Sequence, residues 1–323
     1  MKRPTIKALF NWKLIGIVLF IVVLWSIDKS QLIVVLRTTN WTYLGIALLM
    51  QIVTLFVKSV RWRTLLSMTG FKIPFWRSFV LYVVSGYMGV VTPGRLGEFW
   101  KALRLKQEEK VPLVRGIFAT LLDRAMDLYL YIWLGMVCAA GIGLTKQIPL
   151  LVQFIVFFIC AIPILVVKKS IRRRITSFLL PRGLFRRFGI NIEDGINEFE
   201  DSLQKTNSPH FLTPVAITAF AAGVLFLQFW IILRSLGIDL HFLLAVIIIS
   251  LIKFIGNIPI TLFGLGTRDI TLIFVFQFLG LSSSLAVGVS VLVFLVNHLA
   301  VSLFGFLLLV VVRIPEGGRA ITQ

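Results

Sequence analysis

The strongest constraint on this chain is a series of apolar runs that neither alternate with polar residues nor carry charge, residues 211–233 and 285–312 among them. Each is long enough to cross a hydrocarbon core, which takes about 20 helical residues. No water reaches the backbone inside lipid, so its N–H and C=O groups must pair within a helix or around a closed barrel. Barrel strands alternate apolar and polar side chains, and these runs do not. Hydrophobic residues make up 58% of the 323 and charged residues only 15%, more apolar surface than a water-soluble domain of this length hides. The expected fold class is an all-α polytopic membrane protein.

Two of the runs break at a depth where a helix would still be spanning. Residues 75–91 lead into Thr92-Pro93-Gly94-Arg95-Leu96-Gly97-Glu98. Residues 242–255 lead into Asn257-Ile258-Pro259, with Gly264-Leu265-Gly266-Thr267-Arg268-Asp269 just beyond. Each break joins a proline without a backbone donor, glycines that permit unusual dihedrals, and an arginine near an acid. Paired broken segments in corresponding halves of a membrane protein point to a transporter's binding site. The candidate structural breaks are Pro93, Gly94, Gly97, Pro259, Gly264 and Gly266. The candidate substrate-binding residues are Arg95, Glu98, Asn257, Arg268 and Asp269. Arg124 and Asp127 join them, because they stand three apart on one helical face within residues 111–143. Against that stands a second reading, in which this helix lies partly in the cytoplasmic interface with its charges paired locally.

Charge decides between topologies. The formal net charge is +19, and the cations gather in short segments between apolar runs, the pattern of loops that face anionic lipid on the cytoplasmic side. If both broken segments re-enter, six full spans remain and 25 of the 33 Lys and Arg residues fall on the cytoplasmic side. Lys29, Arg37, Lys146 and Arg234 then face outward, and Arg95, Arg124, Lys253 and Arg268 stay at membrane depth. Full crossings at both places would carry 14 of the cytoplasmic cations outside, against the positive-inside rule. The expectation is a single transmembrane domain over 1–323 with about six full transmembrane helices and two re-entrant helical hairpins. It sits in the cytoplasmic membrane, with both termini and the basic loop 168–210 in the cytoplasm. Lys58, Arg61, Trp62 and Arg63 read as the inner anchor of the second span. No soluble basic domain accompanies the charge, which excludes a nucleic-acid reader.

The breaks also repeat. Gly70 precedes Pro93 by 23 residues and Gly237 precedes Pro259 by 22. Two pseudo-repeats emerge, about 41–143 and 211–312, entering the membrane from opposite sides: an inverted repeat. Cys138 and Cys160 lie inside apolar runs as packing residues, and neither a metal-ligand spacing nor a cofactor motif is present. His298, beside Asn297, is expected to hydrogen-bond between helices.

These motifs carry a resemblance. Pro93-Gly94-Arg95-Leu96-Gly97-Glu98, Leu122-Asp123-Arg124 with Asp127, and Pro259 with Gly264-Leu265-Gly266-Thr267-Arg268-Asp269 resemble the lysylphosphatidylglycerol synthase transmembrane-region family. The order of motifs matches over roughly residues 10–312. The resemblance implies a flippase-like integral membrane protein serving envelope lipid or glycan pathways. Asp269 stands where the family commonly has glutamate, a shorter reach to any partner. The chain ends at Gln323, where other members continue into a soluble transferase domain, so a stand-alone member that does not itself aminoacylate lipid is expected.

A helix that stops within the membrane leaves N–H groups unpaired at an electropositive end. With Arg95 and Arg268 nearby, such ends can hold a phosphate; the alternative is that Arg95–Glu98 and Arg268–Asp269 are internal pairs that hold the breaks together. Three functions follow. The first is a transporter or flippase for an anionic or polyprenyl-linked lipid, not an enzyme. The second is a non-catalytic membrane partner of a glycosyltransferase, and the third a membrane-embedded lipid-modifying transferase. The partners these imply are membrane lipids, with a second copy of the chain or a glycosyltransferase as protein partner.

Overall fold

The computed structural model describes residues 37–90, 92–141, 197, 201, 209–256 and 267–311, and among these every regular element is a helix. In order they are α1 (Trp41–Met68), α2 (Phe75–Val90), a 3-10 segment (Pro93–Phe99), α3 (Trp100–Glu108), α4 (Leu113–Gly141) and α5 (Leu212–Ser235). Then come α6 (Phe242–Gly256), α7 (Thr267–Phe278), α8 (Ser283–Phe294), a π-helical turn (Leu295–Leu299) and α9 (Ala300–Val311).

Local chemistry sets the helix ends. Asn40 starts α1 by accepting the Thr42 N–H on its side-chain oxygen at 3.0 Å. At the end of α5, the N–H groups of Gly237 and Ile238 bond back to Arg234 and Leu233 at 3.0 and 3.1 Å. This closure needs the left-handed φ of +71° that Gly237 supplies. Gly70, just past α1, has φ +96°.

Among the described residues, three stretches are long and apolar enough to cross a membrane: Trp41–Met68, Leu212–Ser235 and the rod Ser283–Val311 that joins α8 to α9. Leu49, Ile52 and Phe56 on α1 and Leu303 and Leu307 on α9 are exposed at helical spacing, the stripe a lipid-facing helix presents. The expected spans at residues 14–25 and 149–167, and nearly all of the basic loop 168–210, lie outside the described residues.

α1 and α5 run antiparallel at the centre. The Asn40 N–H donates to the Ser235 carbonyl at 2.8 Å at one end. Midway, buried Gln228 donates to the Ala47 carbonyl at 2.9 Å and to Gln51 at 3.1 Å. At the other end Arg61 reaches Thr218 at 3.2 Å. Around this pair, α2 packs along α9 and α6 packs along α4, so each half lays its short helix on the last helix of the other. The α2–α9 approach is close: a Cβ on Gly305 would stand 2.6 Å from that of Tyr87.

α2 has 16 residues, about 24 Å of helix, less than the roughly 30 Å hydrocarbon core. The chain then doubles back. The 3-10 segment and α3 return alongside α2, bringing Glu108 at the end of α3 onto Arg77 at the start of α2 as an ion pair. A charge-poor arm therefore carries a charged bend into the protein.

A candidate binding site where the two breaks meet

The first bend is held by main chain. Thr92 donates its hydroxyl to the Met88 carbonyl at 2.8 Å and accepts the Gly97 N–H at 2.7 Å. Gly97 lies so close to α2 that a Cβ there would stand 2.0 Å from the Met88 carbonyl oxygen. Arg95 takes a left-handed φ of 57°, a conformation that costs a residue with a Cβ about 1 kcal/mol or more.

Arg124 from α4 offsets that cost. Its Nη2 donates to the Arg95 carbonyl at 2.9 Å and its Nε to Glu98 at 2.8 Å, with the guanidinium over the Phe99 ring at 5.7 Å. The other Glu98 oxygen forms an ion pair with Arg95, 2.9 Å from its Nε. The Arg95 side chain remains 53% exposed.

Behind the bend lies a second charged layer. Arg61 is fully buried, donating through Nε to Asp123 at 2.8 Å and through Nη1 to Asp127 at 2.6 Å. Lys58 donates to the other Asp127 oxygen at 2.6 Å. Lys101 is buried over the Tyr82 and Trp62 rings, 4.4 and 4.8 Å from their centroids, and lies 3.8 Å from Asp123. Each of Glu98, Asp123 and Asp127 is thus shared by two cations.

The second break presents fewer groups among the described residues. Arg268 is buried near the start of α7; its Nε donates to Ser290 of α8 at 3.0 Å and its Nη2 to Asp269 at 3.1 Å. The Ser290 hydroxyl donates in turn to the same Asp269 oxygen. The guanidinium lies 5.9 Å from the Phe294 ring centroid, and its Nη1 is buried without a hydrogen-bond partner among the described residues.

The two breaks share one electrostatic neighbourhood. Lys253, near the end of α6, is within Coulombic range of Lys58, Arg95, Arg268 and Asp127. His298, on the π-helical turn, is within range of Arg95, Lys253 and Arg268. π-Helical turns in α-helices recur at functional sites.

Several expectations change here. Arg124 and Asp127 share a face but are not paired with each other: Glu98 takes the first, and Lys58 and Arg61 take the second. Arg61 and Lys101, read as cytoplasmic cations, are buried because Asp123 and Asp127 of α4 draw them into the helix packing. Trp62 is likewise a core residue and not an interfacial anchor. His298 stacks on Phe294 of its own rod at 5.7 Å, and its Nδ1 finds no partner among the described residues. Both internal pairs weighed from the sequence, Arg95–Glu98 and Arg268–Asp269, are present. Asn257, Pro259, Gly264 and Gly266 lie outside the described residues; for Pro93 and Gly94 only the backbone is described.

The sequence profile of the lysylphosphatidylglycerol synthase transmembrane region matches residues 13–305. A UPF0104 membrane protein of Methanocaldococcus jannaschii is 22% identical over 316 residues, covering 93% of this chain and 94% of the relative. A UPF0104 membrane protein of Methanothermobacter thermautotrophicus is 21% identical over 332 residues, with 96% and 95% covered. No solved structure matches the chain.

Proposed function

We propose that this chain, which belongs to the lysylphosphatidylglycerol synthase transmembrane-region family, moves an anionic or polyprenyl-linked lipid across the cytoplasmic membrane. The observation that carries the proposal is a pair of arginines beside the two breaks that keep something to offer: the Arg95 side chain is 53% exposed, and Arg268 Nη1 is buried with no hydrogen-bond partner among the described residues. A cationic centre within the membrane holds an anionic headgroup while the hydrocarbon chains stay in the bilayer. The reciprocal packing of α2 on α9 and α6 on α4 supports two halves related as an inverted repeat, the architecture that opens a central site to either face in turn. The positive-inside count orients the protein with both termini and the basic loop cytoplasmic.

The test is movement of a fluorescent anionic lipid between leaflets of vesicles that contain the purified protein. Arg95→Gln is expected to abolish movement with little loss of protein or thermal stability, because Glu98 keeps Arg124. The double change Arg95→Gln with Glu98→Gln stays stable and inactive. Wild-type vesicles that behave like protein-free ones overturn the transport reading, and recovery of movement in the double variant makes Arg95–Glu98 a structural pair. In the same vesicles an impermeant thiol reagent should reach cysteine placed at Lys146 but not at Ser177; the opposite pattern reverses the orientation.

A further inference from the structure

Building on the anionic-lipid reading, we infer that the site between the breaks takes a lipid ending in a free phosphate, a monoester or diphosphate, in preference to a phosphodiester headgroup. The first argument is charge balance. The cations of the first break and its second layer are Lys58, Arg61, Arg95, Lys101 and Arg124, and they share three carboxylates, Glu98, Asp123 and Asp127. The second break adds Arg268 against Asp269. Six cations therefore share four carboxylates in these ion pairs among the described residues. A diester phosphate compensates one charge of that excess. A terminal monoester carries about −1.5 to −2 at neutral pH and offers three strong acceptor oxygens, and a diphosphate carries more.

The second argument is geometric. The Nη1 of Arg268 is a charged donor in a side chain only 5% exposed, with no hydrogen-bond partner among the described residues. A buried charged donor left unmade is costly, and an incoming oxygen supplies the partner. Arg95, paired with Glu98 and 53% exposed at the first bend, is accessible to the same ligand. Two guanidinium groups from different hairpins, with Lys253 in range of both, match a headgroup with several free oxygens better than one esterified on two sides.

The experiment compares lipids with identical acyl chains. Purified full-length protein in detergent is titrated with dioleoyl phosphatidic acid, dioleoyl phosphatidylglycerol, polyprenyl monophosphate, polyprenol and inorganic phosphate, with binding followed by native mass spectrometry or thermal shift. Phosphatidic acid is expected to bind at least about tenfold tighter than phosphatidylglycerol, and polyprenyl monophosphate tighter than polyprenol by a similar factor. Arg268→Gln should weaken binding of both anionic lipids and remove most of that preference, phosphatidic acid losing more than phosphatidylglycerol. Equal or tighter binding of phosphatidylglycerol overturns the inference and leaves the anionic-lipid reading standing. Binding of inorganic phosphate alone, or of no lipid, overturns both. An unchanged preference in Arg268→Gln overturns the assignment to that guanidinium.

Discussion

The two breaks use the same residue types and are built differently. At the first, glycine, threonine, arginine and glutamate lock the bend to α2 and α4: Gly97 rests on the Met88 carbonyl, Thr92 bridges both arms, and Arg124 holds Glu98 and the strained Arg95 carbonyl together. A buried layer of Arg61, Lys101, Asp123 and Asp127 stands behind it. At the second, the described residues show one short triangle, Arg268 with Asp269 and Ser290, and one guanidinium nitrogen left over. An arginine whose hydrogen bonds are all made inside the protein is a brace. One that keeps a donor unmade, or a side chain half in the open, has something to offer a ligand.

That contrast can be broken experimentally, and the largest effect is expected at Gly97. Leucine there would place its Cβ 2.0 Å from a main-chain oxygen that no side-chain movement clears, so the first hairpin cannot close. The cost should exceed about 3 kcal/mol. The expected outcome is loss of the monodisperse peak in size-exclusion chromatography; a normal peak at normal yield would show that the first bend is not locked by backbone contact.

Next comes Arg61→Gln, which leaves Asp123 with distant Lys101 and the Tyr82 hydroxyl, and Asp127 with Lys58. Removing one partner of a buried network costs about 3–5 kcal/mol, because the carboxylates remain buried with less compensation. The thermal midpoint of the purified variant should fall sharply. A midpoint equal to wild type would mean the second layer does not support the bend.

The smallest effect is expected at Ser290→Ala. It removes one hydroxyl from the Arg268–Asp269 triangle while the ion pair itself remains, a loss of about 1 kcal/mol. The midpoint should move far less than in Arg61→Gln. A drop of equal size would erase the contrast and make the second break a brace as well.

Helical membrane architecture, the position of the first break and the charges at its tip were legible in the sequence. Each depends on chain-local physics: continuous apolar runs must be helices in lipid, and proline with glycine interrupts a helix wherever it stands. The Gly70 and Gly237 turns were legible for the same reason, since a left-handed closure selects glycine locally. The roles of Arg61 and Lys101 were not. In sequence they sit among other cations near helix ends and resemble interfacial anchors, while their carboxylate partners stand 62 and 22 residues away. One signal did exist: Asp123 and Asp127, four apart on an apolar helix, form an acidic face that needs buried cations from elsewhere. Which cations answer it is decided by packing, because Coulomb attraction in a water-poor interior reaches whatever the fold brings close. The sequence by itself therefore determined that this chain is a helical membrane protein and that it breaks after residue 91. Tertiary structure alone decided that α4 serves both layers, with Arg124 turned to the bend and Asp127 to α1.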